Sequence, residues 1–159
     1  KFWSDKEVVL AAVKSGDGYS IIYASKTLQK NREIILAAVS SCPGQFKSIL
    51  TLSPELNSDR EVVLAAVSCP DLGDDFELVA ESLRDDKEVV LAAVQAYGFN
   101  LKFVSDRLKA DKEVVATAMS SNLDVTCAGV LTHAPKRLQR DFELVALQKK
   151  LLNRNKHEL

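Results

Sequence analysis

The amino-acid sequence of this chain contains an internal repeat of about 27 residues, which limits the folds it can adopt. The repeated block is clearest at residues 5–13, which read Asp-Lys-Glu-Val-Val-Leu-Ala-Ala-Val. Related blocks return at intervals of 25 to 30 residues, and we call the acidic or amide residue that opens each one its anchor. The six anchors are Asp5, Asn31, Asp59, Asp86, Asp111 and Asp141. A unit this small cannot bury its own apolar side, so the copies are predicted to stack on one another.

Each repeat is predicted to form two short helices. The anchor suits an N-cap, because its side chain can accept an otherwise unpaired backbone N–H, and the Glu two residues later suits the first turn. The apolar residues that follow cover most of the helix surface, so this first helix should be buried on most sides. A second helix is predicted from apolar residues at i, i+3 and i+7, as in residues 21–28. Pro54 and Pro135 should break it near Ser53 and Ala134.

The apolar run of each block has a second interpretation, a buried parallel strand, which would give a β/α solenoid. Paired alanines are poor strand formers, and an acidic first turn is a helix signal. The sequence therefore favours an all-α fold, an α-solenoid of tandem two-helix repeats with a final capping helix. We expect one domain over residues 1–159. We also expect it to be a fragment of a longer protein, because it opens at Lys1 and Phe2 fills the leucine position found before later anchors.

Composition and charge limit the classes of partner. The chain is 47% hydrophobic and 27% charged, as expected of a folded domain with a core. Its 21 basic and 22 acidic residues give a net charge of -1, so no global positive field favours nucleic acid. Uncharged apolar runs such as residues 8–13 are far shorter than the roughly 20 residues that span a bilayer. We expect a protein or peptide partner, no nucleic acid and no membrane span.

The cysteines and histidines predict no disulfide framework and no metal site. Three cysteines are an odd number, no Cys-x-x-Cys pair occurs, and His133 and His157 stand alone in the sequence. Cys42 and Cys69 lie one repeat apart, and each precedes a proline. We expect free thiols, a reducing intracellular compartment such as the cytoplasm, and no cofactor.

The repeat pattern L-x-x-[DN]-[KR]-E-[VI]-[VI]-L-A-A-V resembles the family catalogued as domain of unknown function 4116. The resemblance runs from about Phe2 to Ala146 and is strongest in the first four copies. The last two copies depart from it, with Thr117 inside the fifth block and Phe142 in place of Lys or Arg. The resemblance implies a tandem helical array without an assigned activity, of a kind found in secreted effectors of intracellular bacteria. That origin would place the chain in the host cytoplasm.

Two columns of charge recur beside the anchors. One interpretation is a ladder that grips a partner; the other, which the sequence favours, is helix capping with a solvated first turn. The basic column is Lys6, Arg32, Arg60, Lys87 and Lys112, and the acidic column is Glu7, Glu33, Glu61, Glu88 and Glu113.

One position of the second helix, which we call the variable slot, changes character from repeat to repeat. It is occupied by Tyr23, Thr51, Leu78, Phe103 and His133. Variation at a fixed position of a repeat array is how such proteins diversify a binding surface. The hypothesis is that Tyr23, Leu78, Phe103 and His133 contact a partner, with Tyr23 and Phe103 as anchors for a peptide. The alternative is that slot residues only pack on an adjacent repeat.

The function predicted from the sequence is a non-catalytic scaffold for protein–protein interaction. His133 has no Cys, Ser or carboxylate at a motif spacing, and no catalytic residue is predicted. Two alternatives stay open: an enzyme or regulatory domain with a site between repeats, and a purely structural spacer. A deep cleft with converging titratable groups would favour an enzyme, and a shallow surface with exposed aromatics would favour binding.

Overall fold

A computed structural model describes residues 2–15, 18–41, 46–68, 75–121 and 127–157. Every regular element in those ranges is helical, so the helical interpretation of the apolar block is confirmed. The chain divides into two compact units, Lys1–Ala80 and Glu81–Leu159, and each is described by itself. Within each unit the repeats follow one another as predicted, an all-α array of tandem helical repeats.

The α-helices of the first unit are α1 (Lys6–Lys14), α2 (Lys26–Gln29), α3 (Arg32–Ser41), α4 (Phe46–Leu52) and α5 (Arg60–Val67). Short 3-10 helices accompany them at Phe2–Ser4, Gly18–Tyr23, Pro54–Ser58 and 75–78. The α-helices of the second unit are α6 (Lys87–Ala96), α7 (Asp106–Lys109), α8 (Lys112–Ser120), α9 (Cys127–Leu131), α10 (Lys136–Gln139) and α11 (Phe142–His157). Its 3-10 helices span Leu83–Asp85 and Gly98–Phe103.

The first helix of every repeat begins directly after its anchor, as predicted. In each copy the anchor side chain accepts the backbone N–H groups of the second and third following residues. In the fifth copy, for example, Asp111 Oδ1 lies 2.9 Å from the nitrogen of Glu113. These bonds satisfy donors that have no partner inside the helix, which accounts for the Asp or Asn at every anchor.

The second helix of each repeat is divided into two short segments. The breaks predicted at Pro54 and Pro135 are confirmed: Ser53 leaves helical geometry with φ -145° and ψ 77°, and Pro135 has ψ 147°. The copies without proline are divided as well, which the sequence did not predict. Residues 18–23 are separated from α2, and residues 98–103 from α7.

Hydrogen bonds between repeats explain the extra breaks. Ser25 and Ser105 have extended backbones, with ψ 150° and 152°. The backbone N–H of Ser25 donates to the carbonyl of Trp3 at 2.8 Å, and that of Ser105 to the carbonyl of Arg84 at 3.1 Å. Each acceptor carbonyl belongs to the preceding repeat. Because the serine N–H that would continue the helix bonds to that repeat instead, the helix ends without a proline.

Two stripes of apolar side chains on the first helices build the core. Residues three and seven positions after an anchor form what we call the upstream stripe, and residues four and eight positions after it form the downstream stripe. In α3 both stripes are fully buried, through Ile34 and Ala38 upstream and Ile35 and Val39 downstream. Successive first helices contact one another, α1 with α3 and α3 with α5 in the first unit, and α8 with α6 and α11 in the second.

Gly98 marks a close approach between the 3-10 segment it opens and α8. A Cβ atom on this residue would lie 2.2 Å from the carbonyl oxygen of Ala118 and 2.6 Å from Oγ of Ser121. Because a backbone oxygen cannot move aside cheaply, only glycine lets the segment pack this tightly.

Candidate functional site

The variable slot lies at or near the end of the first short segment that follows each first helix. Tyr23 closes the segment Gly18–Tyr23, and Phe103 closes Gly98–Phe103. Tyr23 is 60% exposed, and its ring centroid lies 5.6 Å from that of Trp3 at a tilt of 42°. An aromatic pair with this exposure presents apolar area to solvent on a preformed support.

Two successive slot residues line one groove in the first unit. This groove, which we call the apolar groove, has a volume of about 300 Å³ and is lined by Lys47, Leu50, Thr51, Pro54, Asn57 and Leu78. Thr51 comes from α4 and Leu78 from the next repeat, and the two repeats are tied by the N–H of Ala80, which donates to the carbonyl of Asn57 at 3.0 Å. The groove therefore exists only because two repeats stack.

Phe103 lines a second groove, in the other unit. We call it the charged groove; its volume is about 310 Å³, and its lining is Glu81, Arg84, Lys102, Phe103, Val104, Ser105, Asp106 and Lys109. The ammonium of Lys102 lies 4.5 Å from the centroid of the Phe103 ring. Arg84 donates from Nη1 to the Phe103 carbonyl at 3.4 Å, while its buried Nε has no hydrogen-bond partner among the described residues.

His133 occupies its slot without a catalytic companion in the described part of the chain. Its ring lies edge-on to Phe99, with centroids 6.3 Å apart. Burial lowers the pKa of His133, and the nearby positive charges of Lys102 and Lys109 lower it further. A neutral imidazole against an aromatic ring can pack or hydrogen-bond.

The charged columns form ion pairs between repeats, which differs from the solvated first turn that the sequence favours. The cation directly after one anchor reaches the next repeat and pairs with its anchor, with its glutamate, or with both; we call each such set a rung. Arg32 lies 2.7 Å from Asp59 and 2.6 Å from Glu61. Further rungs join Lys6 to Glu33, Lys87 to Asp111 and Glu113, and Lys112 to Asp141 and Glu143. The capping half of the expectation holds, since the same aspartates cap their helices.

The rungs shift the ionisation of the groups that form them. The guanidinium of Arg32 holds the pKa of Asp59 below its usual range, and Lys87 does the same for the pKa of Asp111. Lys112 lowers the pKa of Asp141 in the last rung. Because the folded state favours the charged carboxylates, protonating them must weaken the fold.

We expect acid to destabilise the protein through these carboxylates. Each folded-state pKa lies below its unfolded value, so the stability they add is fully present above about pH 4 and is lost as the pH falls through the lowered values. A urea titration at several pH values should show the unfolding midpoint falling steeply below about pH 4.

Removal of one rung tests the cause of that acid sensitivity. The variant Arg32→Gln should lose less stability on acidification than the parent protein, because Arg32 is the largest cause of the lowered pKa of Asp59. Arg140→Gln is the matched control, since Arg140 is exposed and belongs to no rung. An Arg32→Gln variant with the same pH dependence as the parent would contradict this assignment.

The sequence also predicts free thiols, no metal site and no membrane span. Cys42 and Cys69 lie outside the described residues, so the prediction of free thiols stays a prediction. Within the described ranges, no group of three or more His, Cys, Asp or Glu side chains could hold a metal ion. Among the same residues, no helix has the length and apolar character needed to cross a membrane.

Sequence reasoning missed most of the residues that shape the two grooves. Lys47, Pro54 and Asn57 line the apolar groove, and Arg84 and Lys109 line the charged one. Pro54 was noted only as a helix breaker. A signal was available only for Lys47, which lies four residues before Thr51, because residues three and four apart share a helix face.

Comparison with protein families agrees with the repeat boundaries. The model described as Domain of unknown function (DUF4116) matches four overlapping segments, residues 5–51, 31–84, 59–109 and 86–139. Each match begins at one of the first four anchors and extends beyond the next anchor. No curated protein and no solved structure matches the chain.

Proposed function

Because the chain belongs to the DUF4116 family of domains of unknown function, we propose that it is a non-catalytic helical-repeat scaffold that binds a peptide segment of a protein partner. The observation that carries this proposal is the apolar groove, in which Thr51 and Leu78 occupy the variable slots of two successive repeats. A position that varies between repeats and lines a groove can set specificity without disturbing the core.

The apolar groove suits an aliphatic or aromatic side chain of a bound peptide. Leu50, Pro54 and Leu78 supply apolar walls, while Lys47 and Asn57 offer polar groups that can orient a peptide backbone or a polar neighbour. Sites that bury an apolar anchor and place a few polar groups beside it are typical of ligand and peptide recognition.

Tyr23 supports the same proposal as an exposed aromatic on a fixed slot. Its contact with Trp3 limits the rotation of the ring, so less conformational entropy is lost when a partner covers it. Aromatic side chains are enriched among the residues that dominate binding energy. Phe103, half-buried beside Lys102, is the corresponding aromatic of the charged groove.

Selection of peptides from a displayed random library against the intact chain tests the proposal. We expect peptides with one recurrent apolar position to be enriched, and their binding to weaken by about tenfold or more in a Leu78→Glu variant, because a charge would occupy the apolar groove. Binding would be measured by fluorescence anisotropy with the selected peptides. A Tyr23→Ala, Phe103→Ala double variant reports on the aromatic slots.

The matched control is Phe142→Ala, which removes an aromatic ring that is 85% exposed and lies outside the variable slots. It should leave peptide affinity unchanged. Peptides that bind the parent and all three variants equally would refute the proposal, and failure to enrich any peptide would favour a structural spacer. The expectations of an effector origin and of a cytoplasmic location stay predictions.

A further inference from the structure

The first repeat exposes a stripe that later repeats bury. Val8, on the upstream stripe of α1, is 41% exposed. The residues at the same position in the second, third, fifth and sixth repeats are 0–1% exposed: Ile34, Val62, Val114 and Leu144. The exposed residue is still a valine, so the first repeat retains an apolar surface that is partly open among the described residues.

The exposure of α1 indicates that the upstream stripe faces the preceding repeat, because α1 contacts the first helix of the following repeat, α3, and leaves its upstream stripe partly exposed. In later repeats, the helices that carry this stripe contact the first helix of the preceding repeat, α3 against α1 and α8 against α6. The downstream stripe of α1 is different, because Val9 and Val13 are both 0% exposed. The uncovered surface of the first repeat is therefore its upstream side, the side that forms an interface elsewhere in the chain.

The same side presents the acidic half of a rung. In the later rungs the carboxylates on this side accept a cation that directly follows the preceding anchor. In the first repeat the equivalent groups are Asp5 and Glu7, both exposed, and no cation of the described residues forms an ion pair with either. Phe2, which is 77% exposed, lies beside them just before the anchor.

The last repeat lacks the features that would complement this surface. Phe142 stands where the earlier repeats have Lys or Arg after the anchor, and it is 85% exposed. On its downstream stripe, Val145 is only partly buried and Lys149 is charged and exposed. A second copy of this chain docking end to end would thus offer no cation after its anchor, and its apolar stripe would be interrupted by Lys149.

We propose that the first-repeat face, formed by Phe2, Asp5, Glu7 and Val8, binds a helical repeat of the same type as the internal ones. The occupant carries Lys or Arg directly after its N-cap and apolar residues four and eight positions after it. Its cation completes a rung with Asp5 and Glu7, and its downstream stripe covers Val8. The interface then repeats the one that α6 and α8 form within the second unit.

A graft onto the intact chain tests this proposal. A duplicate of residues 86–107 is joined directly before Phe2. The aspartate that opens the duplicate then lies 25 residues before Asp5, which is also the spacing between Asp86 and Asp111. Amide hydrogen exchange of α1 is then compared with and without the graft. We expect the α1 amides to exchange about tenfold more slowly or better in the grafted chain, because the duplicate covers the upstream stripe.

Two control grafts separate docking from the effect of added length. In the first control graft, the duplicate carries the change equivalent to Lys87→Glu, which sets a carboxylate against Asp5 and Glu7. In the second, the duplicate carries the changes equivalent to Val90→Ser and Val94→Ser on its downstream stripe. Both should lose most of the added protection. Equal protection by all three grafts, or by none, would overturn the proposal. The proposal would also be overturned if the ungrafted chain dimerised in analytical ultracentrifugation and Val8→Lys abolished the dimer, because a second copy would then be the occupant.

Discussion

Replacing Phe76 with alanine is expected to lower the free energy of unfolding by about 3–5 kcal/mol. Phe76 is 0% exposed and is the largest of the fully buried side chains in the described part of the chain. Its removal would lose the transfer free energy of the ring and leave a cavity that a tightly packed repeat can fill only in part. Domains of this size are stable by only about 5–15 kcal/mol, so the loss is a large fraction of the total.

The comparison for that prediction uses the same change at an exposed site. Phe142→Ala should alter the unfolding free energy by no more than about 0.5 kcal/mol, because the ring is 85% exposed. Urea titrations followed by circular dichroism would measure both. Phe76→Leu, which keeps an apolar side chain, gives an intermediate variant if the alanine protein fails to fold. We expect stability to increase from Phe76→Ala to Phe76→Leu to the parent protein. Equal losses of unfolding free energy in Phe76→Ala and Phe142→Ala would refute the prediction.

Changing Asn100 to aspartate is expected to cost about 3–5 kcal/mol at neutral pH, the usual result of an uncompensated buried charge. Asn100 is 0% exposed, and its amide nitrogen donates to the carbonyl oxygen of Ala93 at 3.1 Å. Its Oδ1 has no partner among the described residues. A carboxylate would keep that unpaired oxygen, place a second acceptor against the Ala93 carbonyl, and lose the hydrogen bond that the Asn100 amide donates.

The pH dependence distinguishes this charge effect from a packing defect. The folded state would raise the pKa of the new carboxyl group, because burial and the facing carbonyl disfavour the anion. The loss of stability relative to the parent should therefore be greatest at neutral pH and shrink as the pH falls toward about 4, where the group is protonated in the folded state and about half protonated in the unfolded state. Urea titrations of the two proteins across that range measure the difference.

Asn31→Asp is the matched control for Asn100→Asp. Asn31 is an anchor whose Oδ1 accepts the N–H groups of Glu33 and Ile34 at 3.1 and 3.4 Å, and every other anchor is an aspartate. A negative charge suits the N-terminus of a helix, so this change should stabilise the protein slightly, by about 0.3–1 kcal/mol at most. A loss in Asn31→Asp as large as that in Asn100→Asp would contradict the role given to burial.

The candidate binding surface was predictable from the sequence only in part. Variation at one position of the repeat identified the slot that holds Thr51, Leu78 and Phe103. The grooves beside it were not predictable, because each is built from two stacked repeats and its shape depends on how they pack. The rungs carried a weak signal, since the cation and its carboxylates recur at the repeat spacing, but spacing alone does not say which repeat a side chain reaches.

The repeat length, the helix starts and the apolar stripes could all be predicted from the amino-acid sequence. These depend on residues two to eight positions apart, such as Asp111 capping the amides of Glu113 and Val114. Tertiary structure decided the rest. Residues 5–13 and 86–94 have the same sequence, yet Val8 is 41% exposed and Val89 is 0% exposed. Likewise, the second helix divides at Ser105 because its N–H bonds to Arg84 in the preceding repeat. Burial and backbone pairing depend on what packs alongside a segment, and a repeated sequence cannot specify that for each of its own copies.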